Sequence, residues 1–409
     1  MSRPSKASLN NDQRRAAARR FLRTFITYVS IVALIVASIN LIGFRYMVRD
    51  DNQAIVQLLA GWGRMYKPIL HDKLEPDVLV LGASWARDAF DPIETGRLLG
   101  QKVFNHGVSG GTVYEVRRFA ESALVNPNLK SAIVNLDTIY RDRDARTKYG
   151  FDENILNVDP DNNPNRWVGL KRAYSVALTG WAIAANIELV LAILARDNGD
   201  ARADYLESYQ RADLTKRHAK MERARQRIFP PSGYAPQQAV AKSLSPFQEI
   251  ALQEFEMMID GFCENGVDTY AYFSAFHMWT NSCDAQARFE LSTLEFLRHK
   301  QTSCAAKLSY FNFNYPNVVT LEGMLSPVTH STYYRPDGHP RPTLGLLMAA
   351  SMFDVEFPAD SPAALQSDFG VDLLSHPDAE GWLLERAARC GGDWGEGGYA
   401  AFKPPLATP

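Results

Sequence analysis

The segment DVLVLGASW, Asp77–Trp85, decides the fold of this chain. Its first six residues form a compact apolar run that stops at a glycine, the pattern of a strand buried on both faces of a parallel sheet. Working outward, KVFN (Lys102–Asn105), SAIVNLD (Ser131–Asp137), VDTYAYFSAF (Val267–Phe276) and NVVTL (Asn317–Leu321) repeat the pattern. Helical patterning lies between and after them, over about 92–100, 112–126, 285–302 and Pro342–Met352. Strands alternating with helices through short connections predict an α/β fold, a doubly wound parallel sheet of five strands with helices on both faces.

Upstream, Thr24–Phe44 reads TFITYVSIVALIVASINLIGF, a run of uncharged residues long enough to cross about 30 Å of hydrocarbon as a helix. Arg14, Arg15, Arg19, Arg20 and Arg23 precede it. A cluster of this kind keeps the N-terminus in the cytoplasm and sends the remainder across. The run is long for a signal peptide and no A-x-A cleavage site follows it, so an uncleaved anchor is expected. The chain then divides into a basic tail (1–23), an anchor (24–44), a helical connector (45–76), a domain that holds the sheet (77–353) and an irregular Pro/Gly/Ala-rich tail (354–409). The domain carries an insertion at about 138–266. Within it, AYSVALTGWAIAANIELVLAILA (Ala173–Ala195) holds one charge, Glu188, and reads as a buried helix or helix pair, with a second membrane crossing as the alternative. A crossing there would place Ser84 and His339 on opposite sides of the membrane.

The formal charge of -2 hides an asymmetry: residues 1–49 hold nine Lys/Arg and one acid, leaving 35 basic and 45 acidic residues beyond them. An acidic outer domain excludes a global nucleic-acid footprint. The four cysteines, Cys263, Cys283, Cys304 and Cys390, lack the C-x-x-C or Cys/His spacing of a zinc site. No metal or cofactor is expected. Disulfides are expected if the domain is exported, with Cys283 and Cys304, which flank a predicted helix, as one candidate pair.

Three segments fall at the carboxyl ends of strands, where open α/β sheets bind ligands. GASW (Gly82–Trp85) lifts Ser84 to the sheet edge at a helix start, where backbone N–H groups can stabilise an oxyanion. A helix cap is its plainer role. FNHGVSGGT (Phe104–Thr112) allows close backbone approach, but it lacks the Lys-Ser/Thr ending of a P-loop and reads equally as a capped strand-to-helix turn. YYRPDGHPRPTLG (Tyr333–Gly345) sets Asp337 and His339 one glycine apart in a loop before the last helix. His277, in SAFHMW, is a rival base that reads more simply as a cleft-lining residue. Arg87, Arg117 and Arg118 could meet an anionic substrate, although solvated helix faces are the simpler account.

Taken together, the three segments resemble the SGNH/GDSL hydrolase superfamily, in order and in placement. Asn105-His106-Gly107-Val108-Ser109-Gly110 is similar to that family's second block, whose glycine supplies an oxyanion N–H. Asp337-Gly338-His339-Pro340 is similar to its last block, shortened from D-x-x-H to D-x-H as in membrane-anchored relatives that O-acetylate alginate and other exopolysaccharides. The resemblance covers roughly 75–140 and 265–353. It implies a flavodoxin-like three-layer fold and a triad in which Ser84 attacks an ester carbonyl, His339 moves the proton and Asp337 orients the imidazole. The N–H groups of Ser84 and Gly107 would form the oxyanion hole. The third block departs from the family's G-x-N-D: here it is Asn135-Leu136-Asp137-Thr138, with an acid where the oxyanion asparagine belongs. Asn105 or Asn135 could replace that donor, or a protonated Asp137 could serve.

The function so implied is a bacterial inner-membrane protein with its main domain in the periplasm. It would transfer or remove an acyl group, acetyl first, on a cell-surface polysaccharide. The resemblance also implies an acyl donor and work beside a multispanning membrane acyltransferase. The alternative is a degenerate domain of the same fold, acting as a binding or scaffold subunit in polysaccharide modification or secretion, which Asp137 and the long insertion favour.

Overall fold

A computed structural model describes residues 11–47, 63–137, 147, 150–179, 182–183, 187, 246–276, 283–315, 317–320, 332–334, 338–359, 361 and 369–384. Its sheet begins with β1 (Val78–Leu81), β2 (Val103–Asn105) and β3 (Ser131–Asn135), continues with β4 (Asp268–Phe273) and β5 (Leu308–Asn312), and ends with the short β6 (Val371–Asp372). The order across the sheet is β2-β1-β3-β4-β5-β6; the first five strands are parallel and β6 joins β5 antiparallel. All four residues of β1 are buried, and alternate side chains enter opposite cores. Leu79 and Leu81 join one with Phe104, Ala132 and Val134, while Val78 and Val80 join the other with Val103 and Ile133. Helices therefore cover both faces, as the continuous apolar run of β1 requires.

On the first face lie α2 (Gly63–Leu74) and α5 (Val113–Ala123), together with the two long helices α7 (Pro246–Glu264) and α8 (Cys283–Gln301). On the second lie α3 (Ser84–Ala89), α4 (Pro92–Leu99) and α9 (Pro342–Phe353). Local chemistry sets the boundaries. Thr112 and Glu115 close a capping box at the start of α5. Asp91 caps α4 with Pro92 in its first turn and Gly100 in the left-handed conformation at its end.

Two expectations change in the second half of the sheet. The fifth strand is Leu308–Asn312 rather than Asn317–Leu321. Asn317 instead folds its side chain over the amides of Val319 and Thr320, a local turn that competes with strand pairing. The segment after residue 354 is not wholly irregular: it supplies β6, and Phe369, Leu373, Ala379 and Leu383 are buried in the two cores. The disulfide also differs from the candidate pair. Cys304 joins Cys263 at the end of α7, tying that helix to the turn before β5.

The arginines of α3 and α5 are neither solvated nor turned to a ligand, because both helices are packed inside the domain. Arg117 pairs with Glu121 and with Glu254 of α7. The fully buried Arg118 pairs with Glu121 and donates to the carbonyls of Val158 (3.1 Å) and Asp159 (2.6 Å), pinning the start of the insertion to the core.

The N-terminal helix α1 (Asn11–Met47) contains one segment long and apolar enough to cross a membrane. Further along, α6 (Val168–Leu178) packs beside its distal end. That helix stops at Thr179, whose backbone is extended, so no single helix runs unbroken over Ala173–Ala195. Nor is α6 a buried core helix, since only Ser175 and Val176 of its side chains are buried.

Candidate active site

Sheet order fixes where a ligand would sit. From β1 the chain moves to one side to form β2, then crosses back to form β3 on the other side of β1, so the connections diverge between β1 and β3. The crevice at the carboxyl ends of such neighbours is where open α/β sheets bind. Ser84 follows β1 directly and Asp137 follows β3.

Gly82 makes the exit from β1 possible. Its φ is +150°, and a Cβ there would stand 2.6 Å from Cβ of Asn135 and 2.8 Å from that of Ala86. The chain turns at once into α3, with Ser84 its first residue. Ala83 offers no side-chain cap, so the first-turn amides receive no protein side chain from that position.

Ser84 Oγ lies 3.0 Å from Nε2 of His339. The two residues are 255 positions apart. Their meeting places 77–137 and 338–353 on one side of any membrane, which removes the arrangement in which a crossing at 173–195 separates them. His339 is held from several directions. Its ring stacks on Trp85 at 5.6 Å, and Trp85 in turn packs on Phe276 at 4.2 Å. Around it, Tyr334 and Pro340 form an antiparallel bridge, Arg341 N donates to Tyr333 O (2.8 Å), and Arg341 Nε donates to Tyr334 O (3.0 Å). Tyr334 Oη donates to Ala275 O (2.7 Å), fastening this loop to the end of β4. Trp85, next to the serine, walls the imidazole. Phe276 and Tyr334 carried no sequence signal beyond being aromatic.

Of the oxyanion donors expected from sequence, Asn105, Asn135 and the Gly107 N–H are engaged elsewhere. Asn105 Nδ2 donates to the carbonyls of Ala86 (2.9 Å), Arg87 (3.2 Å) and Phe90 (2.7 Å), so it terminates α3 rather than facing a substrate. Its Oδ1 accepts the Gly107 N–H at 2.8 Å. Asn135 Nδ2 donates to Asp137 Oδ2 (2.8 Å) and Ser274 Oγ (2.9 Å). Asp137 is buried, also accepts from Ser274 N (3.3 Å), and acts with burial to push the Tyr272 phenol well up. Asn105 is drawn into structural bonds by buried backbone groups that need partners, and Asn135 by the buried side chains of Asp137 and Ser274. Asp337 and His277 lie outside the described residues.

The Asn105–Thr112 loop is braced throughout. His106 N and Val108 N donate to Val80 O and Gly82 O, and Gly111 N to Val108 O. Thr112 N donates to Glu115 Oε2, completing the capping box. Arg64, in a buried pair with Glu115, donates to Ser109 O (2.8 Å), and Arg87 donates to Ser109 Oγ. The fully buried Lys67 donates to Gly107 O at 2.5 Å. Burial, then the positive field of Arg87, holds its ammonium well below the ordinary lysine range, with Asp88 opposing. The amides of His106, Gly107, Val108, Gly111 and Thr112 are thus engaged within the protein. Among the described residues, no group of three or more His, Cys, Asp or Glu side chains could hold a metal ion.

No protein-family model matches the chain, and no curated protein matches its sequence.

Proposed function

We propose that this chain is a membrane-anchored envelope enzyme of SGNH/GDSL type that forms an acyl-serine intermediate, acting as an O-acyltransferase or esterase on a cell-surface polysaccharide. The observation that carries the reading is the 3.0 Å approach of Ser84 Oγ to His339 Nε2 at the sheet's crevice. A nucleophile within hydrogen-bond reach of a base, itself oriented by its surroundings, is the signature of an activated serine. Ser84 Oγ attacks the ester carbonyl as its proton passes to Nε2; the imidazolium returns that proton to the departing alkoxide. Water or a sugar hydroxyl then takes the acyl group by the reverse sequence. Asp337, two residues before His339, is the orienting acid in this scheme. The Ser84 N–H, at the uncapped start of α3, is the first oxyanion donor.

Topology and chemistry support an envelope location. The Arg-rich segment before the apolar run favours a cytoplasmic N-terminus, and the Cys263–Cys304 disulfide suits an oxidising compartment outside it. The resemblance extends the proposal to a multispanning membrane acyltransferase as acyl donor.

A second reading is favoured by the spent donors. With Asn105, Asn135 and the Gly107 N–H all bonded within the protein, and Asp137 in the third block, the same crevice would bind a polysaccharide without turning it over. Hydrolysis of a small acetyl ester by the detergent-solubilised full chain separates the two. Ser84→Ala and His339→Ala should each lower the rate by roughly 10³-fold or more, and a fluorophosphonate should label the parent but not Ser84→Ala. Equal rates in all three proteins, with no labelling, would leave the binding reading.

A further inference from the structure

Helix α6 presents two chemically opposite faces. Arg172 donates to Ile155 O (2.7 Å), Asp72 Oδ2 (2.6 Å) and Asn157 Oδ1 (3.1 Å), and Ser175 and Val176 are buried, so this side is fastened to the domain. At about 100° per residue, Trp167, Leu170, Tyr174 and Leu178 fall together on the far side, within roughly 80° of arc. Their exposures run from 49% to 67%, a continuous apolar stripe with no protein against it among the described residues. An amphipathic helix turned the wrong way round to water needs an apolar medium outside.

The neighbour of α6 says what that medium is. Along α1, residues Val36, Ala37, Asn40, Gly43 and Phe44 are, among those described, the ones drawn out of full exposure, a single face that repeats every three or four residues. Asn40 Nδ2 donates to Ala177 O at 3.0 Å, and Phe44 stacks on Tyr66 of α2. The α6 side of α1 thus covers roughly 12 Å of helix axis, all of it inside the apolar run that ends at Phe44. An element that packs beside the outer third of a membrane span lies level with the bilayer, not above it. At 11 residues, α6 measures roughly 16 Å, too short to cross.

We infer that α6 is an interfacial membrane helix, lying in the outer leaflet beside α1 with Trp167, Leu170, Tyr174 and Leu178 in the headgroup–acyl boundary. This inference rests on the proposed anchoring of α1. Trp and Tyr suit that boundary, and an apolar face of this kind sinks about 5–10 Å into it. Arg172 then couples the bilayer directly to Asp72 on α2, the helix that also carries Lys67 and Arg64 against the Gly107–Ser109 backbone. The domain is held at the lipid surface in one orientation rather than swinging on a tether.

Depth-dependent quenching tests this. The full chain is reconstituted at high lipid excess into phosphatidylcholine–phosphatidylglycerol vesicles with brominated acyl chains. Its tryptophan emission is compared with that of Trp167→Phe, so that the difference reports Trp167 alone. The expected result is a blue-shifted Trp167 component that bromine extinguishes and aqueous acrylamide does not reach. Quenching by acrylamide and not by bromine would put this face in water; shielding from both would put it against protein, such as a second copy. Either overturns the inference. Ile35→Trp in the Trp167→Phe background reports α1 separately. If bromine quenches Trp at 35 but not at 167, the anchor stands and the interfacial helix falls. If it quenches neither, the anchor itself is wrong and the interfacial helix falls with it.

Discussion

A Cβ on Gly345 would stand 1.7 Å from the carbonyl oxygen of Ala89, so α9 and α3 meet backbone to backbone. Ser84 begins one of these helices and His339 lies three residues before the other, which makes this contact the gauge of the distance between them. Gly345→Ala must push the helices apart. It should cost about 1–3 kcal/mol in urea unfolding, as overpacking does. Because a shift of about 1 Å at a reacting pair can cost on the order of 10²-fold, ester hydrolysis should fall further than the stability loss explains. Unchanged hydrolysis in a folded Gly345→Ala protein would separate the contact from the pair.

Asn105 supports four backbone groups, three carbonyls at the end of α3 and the Gly107 N–H. Asn105→Asp keeps the acceptor and turns the donor into a second acceptor facing three carbonyls. Each orphaned buried group costs about 1–3 kcal/mol, so this variant should be less stable than Asn105→Ser and should be read by thermal unfolding. If instead Asn105 were chiefly an oxyanion donor, Asn105→Asp would spare stability and lower only kcat.

His106 sits inside the domain between Phe104, Phe119 and His71, with Nδ1 buried and without a hydrogen-bond partner among the described residues. Burial, then the charges of His71 and Lys67, hold it well below the ordinary histidine value of 6.5. The unfolded chain therefore binds a proton that the folded chain refuses. Stability is complete above about pH 6.5 and declines as pH falls toward the folded value, by up to about 1.4 kcal/mol per pH unit. His106→Phe should flatten that acid limb, measured as unfolding free energy against pH. Lys67 has the same sign at higher pH, so the variant should leave the slope above neutrality unchanged.

The Cys263–Cys304 bond closes a separation of 41 residues that contains β4 and α8. Removing it with a Cys263→Ala/Cys304→Ala pair should cost about 4 kcal/mol in the chain-entropy account. Unfolding of the oxidised and reduced parent, side by side with the variant, checks the figure.

The sheet was legible because β1 to β4 are short apolar runs with no competing local chemistry. The fifth strand was misplaced because NVVTL and LSYFN look alike in composition, and only Asn317's side-chain hydrogen bonds reveal which one turns. Ser84 was readable from its place just after β1, whereas His339 stood out only through the D-x-H pattern before the last helix, because the strand expected ahead of it is a turn. The fate of Asn105 and Asn135 was not readable, because an asparagine's partners depend on which polar groups, backbone for Asn105 and side chain for Asn135, the fold buries beside it. The exposed face of α6 was hidden by a sequence apolar enough to suggest a core helix.

The separation of 255 positions between Ser84 and His339 also imposes an order on biosynthesis. At roughly 5–20 residues per second, the serine leaves the ribosome tens of seconds before its histidine is made. Throughout that interval, and in any product truncated before residue 339, the hydroxyl is an ordinary alcohol. On the proposed reading of Ser84 as nucleophile, the serine is armed only once Pro342–Phe353 docks and brings His339 beside it.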